Sequence, residues 1–505
     1  MIKREVSFLI NSAARRVLAI DIGASSGRAI LGHYDGEKIT LEEAHRFTND
    51  PVQVGDTLYW DVFRLWHEVQ QGIMRARAQG EIDAIGIDTW GVDFGLIDDR
   101  GDLVEHPVHY RDPRTKGVPE EVYRQVSAEE LYARTGLHAL WLNTLFQLRA
   151  LQKRRPFCFE RASTLLFTPD LFAYFLTGRR ACEHTIASTS QLLTAMEAKW
   201  DLELIRRVGL PEHIFPEILM PGEVYGTVRP QIAKSLGIGE IPVIAVATHD
   251  TASAVAAANA GPSELFLSSG TWSLVGALRN QPCLSDTARS FNLGNEAGVG
   301  GTMLLRNIIG LWLVQESRRW WQRGGEQLSY QQLEHEALNG TEPFAALISP
   351  NSSIFETPGD MPDRIAQSCI ATGQTAPITR GQVMRGVYES LALQYRLTAA
   401  QLQAATGQNF SMIRLIGGGA QSRLLCQMTA DALRMPVEAG PVEATALGNT
   451  LVQLISLGVL PTAAVRGAVL KASACAERYE PKQADAFDTV YPRFLQLTGQ
   501  ADPLG

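Results

Sequence analysis

Four aspartates stand at or just beyond the predicted ends of buried strands. Asp21, Asp88 and Asp250 each follow an apolar run, and Asp93 comes shortly after Asp88. In open α/β sheets the carboxyl ends of the strands line the ligand crevice, so this placement favours a binding or catalytic role. Any one such acid is about as readily a cap or turn residue. Asp250 is the sharpest candidate, because it interrupts a strongly apolar stretch, where a carboxylate held between His249 and Thr251 could act as a general base toward a hydroxyl.

Three glycine-rich turns follow predicted strands: Gly23 to Gly27, Ser268 to Thr271 and Gly417 to Gly419. Glycine in one such turn is explained more simply by a left-handed backbone requirement. Three in one chain, two of them with serine or threonine beside them, indicate backbone N–H and hydroxyl donors for phosphate oxygens. A P-loop is excluded, because the Gly-x4-Gly-Lys-Ser/Thr pattern is not found at these turns.

Three further segments have two readings each. The run Trp90-Gly91-Val92-Asp93-Phe94 favours an aromatic-rich strand, although an aromatic wall beside polar groups also suits a sugar site. Asn307 to Gln315 has helical spacing, so its two amides are either the polar ends of a surface helix or ligand contacts. Residues 318–321, Arg-Arg-Trp-Trp, predict a half-exposed helix face rather than a nucleic-acid site.

The elements that must position these residues form a mixed sheet that occurs twice. A strand from Val17 is followed by a hairpin through Asp35-Gly36, a helix over residues 61–76 and a strand over 82–88. Residues 242–247 predict a further strand, and Glu264 to Ala277 repeats the first hairpin. Ile413 to Ile416 then predicts a strand and 422–433 a helix. The halves are predicted to meet near residues 253–263.

Composition sets the limits of the protein class. The 505 residues carry 46 basic and 54 acidic side chains, a formal net charge of −8, which argues against nucleic-acid and anionic-membrane partners. Six widely spaced cysteines predict reduced, buried thiols in a cytoplasmic protein. The most apolar long stretch, 241–261, contains His249 and Asp250 and therefore predicts a core strand and helix, not a membrane span.

Together these motifs resemble the FGGY carbohydrate kinases, a branch of the actin-like, ribonuclease-H-like ATPases. The resemblance spans Val17 to beyond Leu454 and rests on three stretches above all: Asp21 to Arg28, Asp88 to Phe94, and Thr248 to Val255. Further matches are 267–273, 307–315 and 439–444. Two features depart from the family pattern: the N-terminal extension before Val17, and Thr248, where a serine is expected before His-Asp-Thr. The resemblance implies an α/β fold of two ribonuclease-H-like domains with mixed central sheets and an interdomain cleft. It implies an N-terminal domain over 16–257 and a C-terminal domain over 258–495, whereas residues 1–15, with only a short apolar run, predict a loose extension.

The resemblance also implies an activity and a set of site residues. It points to ATP-dependent phosphorylation of L-rhamnulose at its 1-hydroxyl in L-rhamnose breakdown, with Mg²⁺ as the metal. The net charge predicts no nucleic-acid or membrane partner, and the sequence leaves open whether the protein is a monomer or a homodimer. Asp250 would be the catalytic base, and Asp21 would lie near the metal. The residues implied for ATP are Ala24, Ser25, Ser26, Gly27, Arg28, Thr271, Gln315 and Gly418, and those implied for the sugar are Gly91, His249, Asp250, Thr251 and Asn307.

Two alternatives stay open at this point. One is a kinase for another ketose, such as L-fuculose or L-xylulose, because the fold and the ATP loops are shared across the family. The other is a non-catalytic sugar or nucleotide sensor on the same fold. The acids at positions 21 and 250 speak against a sensor, and so does the lack of a recognisable DNA-binding extension.

Overall fold

A computed structural model describes residues 14–138, 140–339 and 341–504. The described chain forms two compact units that interleave along the sequence. The first comprises the described residues up to Asn259, together with Arg279–Met303 and Ala444–Ala474. The second comprises Ala260–Leu278, Leu304–Glu443 and the described residues from Cys475 onward. The domain limits 16–257 and 258–495 stay a prediction, and most of the predicted extension, residues 1–13, lies outside the described residues.

The strands are three to ten residues long. They are β1 (Arg15–Ile22), β2 (Ser26–Tyr34), β3 (Ile39–Thr48), β4 (Val52–Val54), β5 (Thr57–Tyr59), β6 (Ala84–Thr89), β7 (Phe94–Asp98), β8 (Ala162–Phe167), β9 (Ala181–Glu183), β10 (Glu217–Leu219), β11 (Val224–Thr227), β12 (Pro242–Ile244), β13 (Glu264–Ser269), β14 (Trp272–Arg279), β15 (Gly294–Gly298), β16 (Gly301–Ile309), β17 (Met412–Ile416), β18 (Val437–Ala439) and β19 (Glu477–Tyr479).

The helices lie between and after these strands. They are α1 (Val62–Ala78), α2 (Val118–Tyr123), α3 (Ala128–Thr135), α4 (Thr144–Arg154), α5 (Phe157–Arg161), α6 (Thr168–Thr177), α7 (His184–Ser188), α8 (Leu202–Arg207), α9 (Pro230–Leu236), α10 (Asp250–Ala258), α11 (Asp286–Ser290), α12 (Trp312–Arg323), α13 (Tyr330–Leu338), α14 (Met361–Ala371), α15 (Arg380–Thr406), α16 (Arg423–Leu433), α17 (Ala444–Ser456), α18 (Ala463–Ser473) and α19 (Ala484–Thr498).

The main sheet of the first unit has the order β11-β12-β6-β1-β2-β3. Strand β1 pairs antiparallel with β2 and parallel with β6, and β12 extends the parallel part. Apolar side chains on β1 are fully buried because helices cover the sheet. Helix α1 begins after the cap Asp61, whose side chain accepts a hydrogen bond from Arg64 N at 3.1 Å. The predicted hairpin, helix and return strand are therefore confirmed.

The second unit repeats this order strand for strand. A seven-stranded sheet runs β15-β16-β14-β13-β17-β18-β19, and its six strands from β16 to β19 are those that repeat the first sheet. Strand β13 pairs antiparallel with β14 and parallel with β17, β17 pairs parallel with β18, and β18 pairs antiparallel with β19. Each pairing matches the one at the same place in the first sheet, so the predicted repeat of mixed α/β halves is confirmed.

Three local predictions were wrong. The strand predicted over 242–247 ends at Ile244. Of the run 90–94, residues 90–93 form a turn before β7, which begins at Phe94, and Val92 has a left-handed φ of 68°. The predicted helix over 307–315 is instead the end of β16, a turn at 310–311 and the start of α12. Pairs of adjacent apolar residues such as Ile308-Ile309 fit a helix and a buried strand equally well, so spacing alone did not separate the two.

The remaining sequence expectations concern thiols and membranes. The cysteines are free, as predicted, but burial holds for only part of them: Cys283 is half-buried and Cys475 is exposed. Within the described ranges, none of the helices is long and apolar enough to cross a membrane.

Candidate active site

Carboxylates of the first unit gather where three neighbouring parallel strands end. Asp21 and Asp88 are direct register partners on β1 and β6, so their side chains leave the sheet on the same face. Thr89 N donates a hydrogen bond to Thr248 O at 2.9 Å, which ties the end of β6 to the segment leading into α10. Asp250 is the first residue of that helix. The structure thus brings three of the four predicted acids to one edge of the sheet.

Asp88 lies deepest of the three. It is fully buried, and its Oδ2 accepts a hydrogen bond from Asn449 Nδ2 on α17 at 2.6 Å. Its Oδ1 is buried without a hydrogen-bond partner among the described residues. Burial, together with the negative charge of Asp21, raises the pKa of Asp88 well above its ordinary value.

Asp250 is the acid that solvent reaches best, because its side chain remains 29% exposed. Oδ1 accepts hydrogen bonds from Thr251 N at 2.6 Å and from the Thr251 hydroxyl at 3.2 Å. Burial and the nearby charge of Asp21 raise the pKa of Asp250, and the His249 imidazole opposes the rise. A partly exposed carboxylate with a raised pKa is a better proton acceptor than an ordinary aspartate, as a general base requires.

Glu183, which the sequence reasoning missed, holds the backbone that carries Asp250. Its fully buried carboxylate accepts hydrogen bonds from both the backbone N–H and the hydroxyl of Thr185, the latter at 2.5 Å, and from Ile186 N. It also accepts from Thr248, through N at 3.1 Å and through the hydroxyl at 2.7 Å. Threonine at 248 therefore supplies the hydroxyl that the expected serine would have supplied.

The predicted sugar contacts Gly91 and His249 lie together beside Asp250. A Cβ at position 91 would lie 3.4 Å from His249 Nε2 and 3.2 Å from Thr189 Cγ2, so only glycine avoids a tight contact with these two side chains. His249 Nε2 is 3.5 Å from Asp250 Oδ1, and Thr251 is the next residue of α10. The four predicted sugar residues of the first unit are thus neighbours.

Asp93 lies behind this group and fixes aromatic rings. Its Oδ2 accepts hydrogen bonds from the indole N–H groups of Trp60 at 2.6 Å and Trp90 at 2.9 Å, and its Oδ1 accepts from Gln147 Nε2 at 2.9 Å. Burial raises the pKa of Asp93 to about 6, against these hydrogen bonds, which favour the charged form. Asp93 is therefore a buried anchor rather than an exposed reactive group.

The first glycine-rich turn joins β1 to β2 and is closed by a hydrogen bond from Gly23 N to Ser26 O at 2.9 Å. Ser25 is exposed, whereas Gly27 is buried against Phe47, 2.2 Å from where its Cβ would lie. Arg28 donates to Asp21 Oδ2 at 2.7 Å. The predicted phosphate residues 24–28 thus lie in this turn and in the first residues of β2, with Arg28 beside Asp21.

Asp21 fits the predicted metal role in a restricted sense. Carboxylate oxygens are the donors that Mg²⁺ prefers, and Mg²⁺ commonly takes one or two of them while keeping water and phosphate ligands. In residues 14–138, 140–339 and 341–504, no group of three or more His, Cys, Asp or Glu side chains is arranged to hold a metal. The donor set suits a Mg²⁺ ion that arrives with ATP, not one caged by protein.

In the second unit the structure joins Thr271 to Gln315. The Thr271 hydroxyl donates to Gln315 Oε1 at 3.1 Å, and Trp312 N donates to Thr271 O at 3.2 Å, so the turn after β13 packs on the start of α12. The predicted sugar residue Asn307 lies on β16, with Gly310 N bonded to Thr271 O at 3.1 Å.

The third glycine-rich turn packs against the second. A Cβ on Gly419 would lie 2.1 Å from Ser269 Oγ, and Gly417 has a left-handed φ of 82°. Around the Cβ position of Gly418, no atom of the described chain lies within 4 Å. Gly418 thus offers accessible backbone beside the hydroxyl-bearing turn, which is the geometry that binding of a phosphate requires.

Comparison with known families decides which proteins share this arrangement. Residues 16–257 match the N-terminal domain, and residues 265–457 the C-terminal domain, of the FGGY family of carbohydrate kinases. The chain belongs to this family. It is therefore a sugar kinase, and kinases of this family use ATP.

Individual relatives extend over nearly the whole chain. A protein named rhamnulokinase from Bacteroides thetaiotaomicron is 42% identical over 479 residues, which cover 94% of this chain and 98% of the relative. Another of that name, from Pectobacterium carotovorum, is 38% identical, with 96% and 97% covered. Among solved structures, a xylulose kinase from Lactobacillus acidophilus has a TM-score of 0.81 at 16% identity, covering 96% of this chain and 98% of its own. Glycerol kinase from Plasmodium falciparum with ADP has 0.76 at 15%, covering 96% and 98%. At these identities the two structures support the fold alone.

Proposed function

We propose that this kinase transfers the γ-phosphoryl group of ATP to the 1-hydroxyl of L-rhamnulose, giving L-rhamnulose 1-phosphate and ADP. The choice of sugar is supported by relatives named rhamnulokinase at 38–42% identity over most of the chain. The reaction type is supported by one observation above all: Asp250 is a partly exposed carboxylate whose pKa is raised, at the edge where three strands end. We also propose a cytoplasmic location, in line with the free cysteines.

The division of labour follows from the chemistry of phosphoryl transfer. The reaction needs little covalent help, so the protein must align the hydroxyl with the γ-phosphate and stabilise charge. Asp250 accepts the proton of the 1-hydroxyl while the oxygen bonds to phosphorus. Gly91, His249, Thr251 and Asn307 contact the sugar.

The nucleotide is held by the residues of the glycine-rich turns. In this proposal residues 24–28 and Thr271, with Gln315 and Gly418, hold ATP through backbone N–H groups, hydroxyls and the Arg28 guanidinium. Bound Mg²⁺ would neutralise charge on the phosphate oxygens, and Asp21 would lie near it and contact it through water. The other groups of the first unit, Glu183 and Asp88 among them, keep the strand ends in place.

The test is a kinase assay over a panel of ketoses. Release of ADP by the purified protein with Mg-ATP should give the highest kcat/KM with L-rhamnulose, and ³¹P NMR should place the phosphate on carbon 1. A clear preference for L-fuculose or L-xylulose would replace the proposed substrate. ATP or sugar binding without turnover of any ketose would favour the sensor.

A further inference from the structure

A buried carboxylate outside the predicted site faces the ring of His249. Glu296, on β15, places Oε2 3.3 Å from His249 Nδ1, and both side chains are more than nine-tenths buried. The two atoms are close but not aligned as a hydrogen bond, and neither has another hydrogen-bond partner among the described residues. Within the described chain, Glu296 Oε2 and His249 Nδ1 are therefore each other's available polar partner.

The strand that carries Glu296 is fixed on both sides of it. Asn295 Nδ2 donates to Gly136 O at 3.0 Å and to Cys283 O at 3.1 Å, and Asn295 N donates to Gly136 O at 2.9 Å. On the other side, Ala297 N donates to Ser188 Oγ, an acceptor at 2.9 Å. The Glu296 carboxylate is thus held at a set distance from the imidazole and cannot easily turn away.

The opposite edge of the imidazole faces the predicted sugar contacts. His249 Nε2 lies 3.5 Å from Asp250 Oδ1 and 3.4 Å from the place that a Cβ on Gly91 would take. Three carboxylates act electrostatically on the ring: those of Glu296, Asp250 and Glu183. Burial by itself would lower the pKa of His249, but these carboxylates, with Glu296 first, outweigh it and leave the pKa raised.

We propose that Glu296 is a positioning residue of the sugar site, which attracts Nδ1–H of His249 so that Nε2–H is presented as a hydrogen-bond donor to an oxygen of the ketose. Without the carboxylate, the buried ring would be neutral, and Nε2 would be free to become an acceptor instead. Glu296 acts on the sugar through His249 and not by contact of its own. The inference rests on the proposed function, because it assigns His249 to the ketose.

The test is a double-mutant cycle of Glu296→Gln and His249→Ala, with KM for the ketose, KM for ATP and kcat measured for each variant. The glutamine keeps the size of the side chain and removes its charge. We expect Glu296→Gln to raise the ketose KM about 10-fold, the size of a hydrogen bond to a charged group, and to change the ATP KM less than about 2-fold. In the His249→Ala background the same substitution should have no further effect. An equal effect in both backgrounds would overturn the proposal.

Asp201→Asn is the matched control, because Asp201 is another buried carboxylate of the first unit, paired with Arg134 at 2.7 Å. Asp201→Asn should change the ketose KM by the same factor in the parent and in the His249→Ala background. Coupling of similar size at both acids would mean general destabilisation and would count against Glu296.

A second measurement needs no substrate. In ¹⁵N-histidine NMR of the full chain, the His249 signal, identified by its absence in His249→Ala, should titrate at lower pH in Glu296→Gln than in the parent. An unchanged titration would overturn the proposal even if L-rhamnulose is the substrate. If the panel finds a different ketose, the proposed substrate fails, while the cycle is measured with that ketose and still decides the role of Glu296.

Discussion

The two sheets share one strand order but end their strands in different chemistry. In the first unit β1 and β6 end at Asp21 and Asp88, and the segment after β12 delivers Asp250. At the same places in the second unit, β13 ends in serines and β17 is followed by Gly417. One sheet edge therefore presents carboxylates, and the other presents hydroxyls and bare backbone.

This difference in strand-end residues shows how one strand order can serve two tasks, proton transfer and phosphate binding. Carboxylates suit proton acceptance and metal contact, whereas hydroxyls and backbone N–H groups suit phosphate oxygens without adding negative charge near an anion. We infer that the first unit carries the proton chemistry and that the second contributes to holding the nucleotide. Each prediction below tests one side of this division.

Asp250→Asn should give the largest effect. It removes the proton acceptor and keeps the shape of the side chain, so kcat should fall by roughly 10²- to 10⁴-fold, the usual contribution of a general base. The ATP KM should stay within about 2-fold, because the phosphate-binding turns are untouched. Steady-state kinetics with L-rhamnulose measure both, and near-normal kcat would remove Asp250 from the role.

Asp93→Asn tests whether the deeper acid of the same unit is an anchor. Because burial raises its folded pKa from 3.8 to about 6, the acid contributes stability below about pH 4 that is lost as the pH rises through 6. The loss amounts to about 3 kcal/mol, and the asparagine variant escapes it. Relative to the parent, the variant should therefore gain thermal stability between pH 4.5 and 7. If the melting temperatures of Asp93→Asn and the parent differ by the same amount at pH 4.5 and at pH 7, this prediction is contradicted.

Gly419→Ala and Gly418→Ala separate packing from nucleotide contact within one turn. The first places a methyl group on Ser269 and should lower the stability by about 1–3 kcal/mol, as overpacking does. The second meets open space, so its melting temperature should match the parent while the ATP KM rises. Thermal unfolding and ATP kinetics measure the pair, and a stable Gly418→Ala with unchanged ATP KM would remove Gly418 from the nucleotide site.

Thr271→Val should give the smallest effect. It removes one hydroxyl, worth about 0.5–1.5 kcal/mol, so the ATP KM should rise about 2- to 10-fold with the ranking of ketoses unchanged. Thr498→Val, which removes a hydroxyl bonded to Phe494 O on α19, is the control and should change neither. A changed ketose ranking in Thr271→Val would count against the division between the units.

Local signals predicted the repeated hairpins, because a buried apolar run, a tight turn and a returning strand lie within about twenty residues of one another. They also placed Asp250, since a charged group inside an apolar run is conspicuous. Long-range partners gave no such signal. Glu183 meets Thr248 across 65 residues and Asn449 meets Asp88 across 361. Glu296 was likewise inconspicuous, a single acid among small residues.

The prediction of a strand over residues 90–94 failed for a different reason. Its aromatic residues have high strand propensity, but the two indoles are held by one carboxylate, and Val92 takes a left-handed conformation to permit it. Tertiary hydrogen bonding overrode the local preference there. Such an override marks a place where positioning of side chains outweighs regular structure.

Helix α17 has a consequence for how the protein is made. It belongs to the first unit, where Asn449 satisfies Asp88, and Gln453 Nε2 donates to Leu18 O at 3.0 Å, although it comes late in the chain. A ribosome that has released residues up to 259 has therefore not yet supplied the groups that complete the first sheet. We expect the first unit to reach its native state only near the end of translation, and a chain truncated at residue 259 to be unstable.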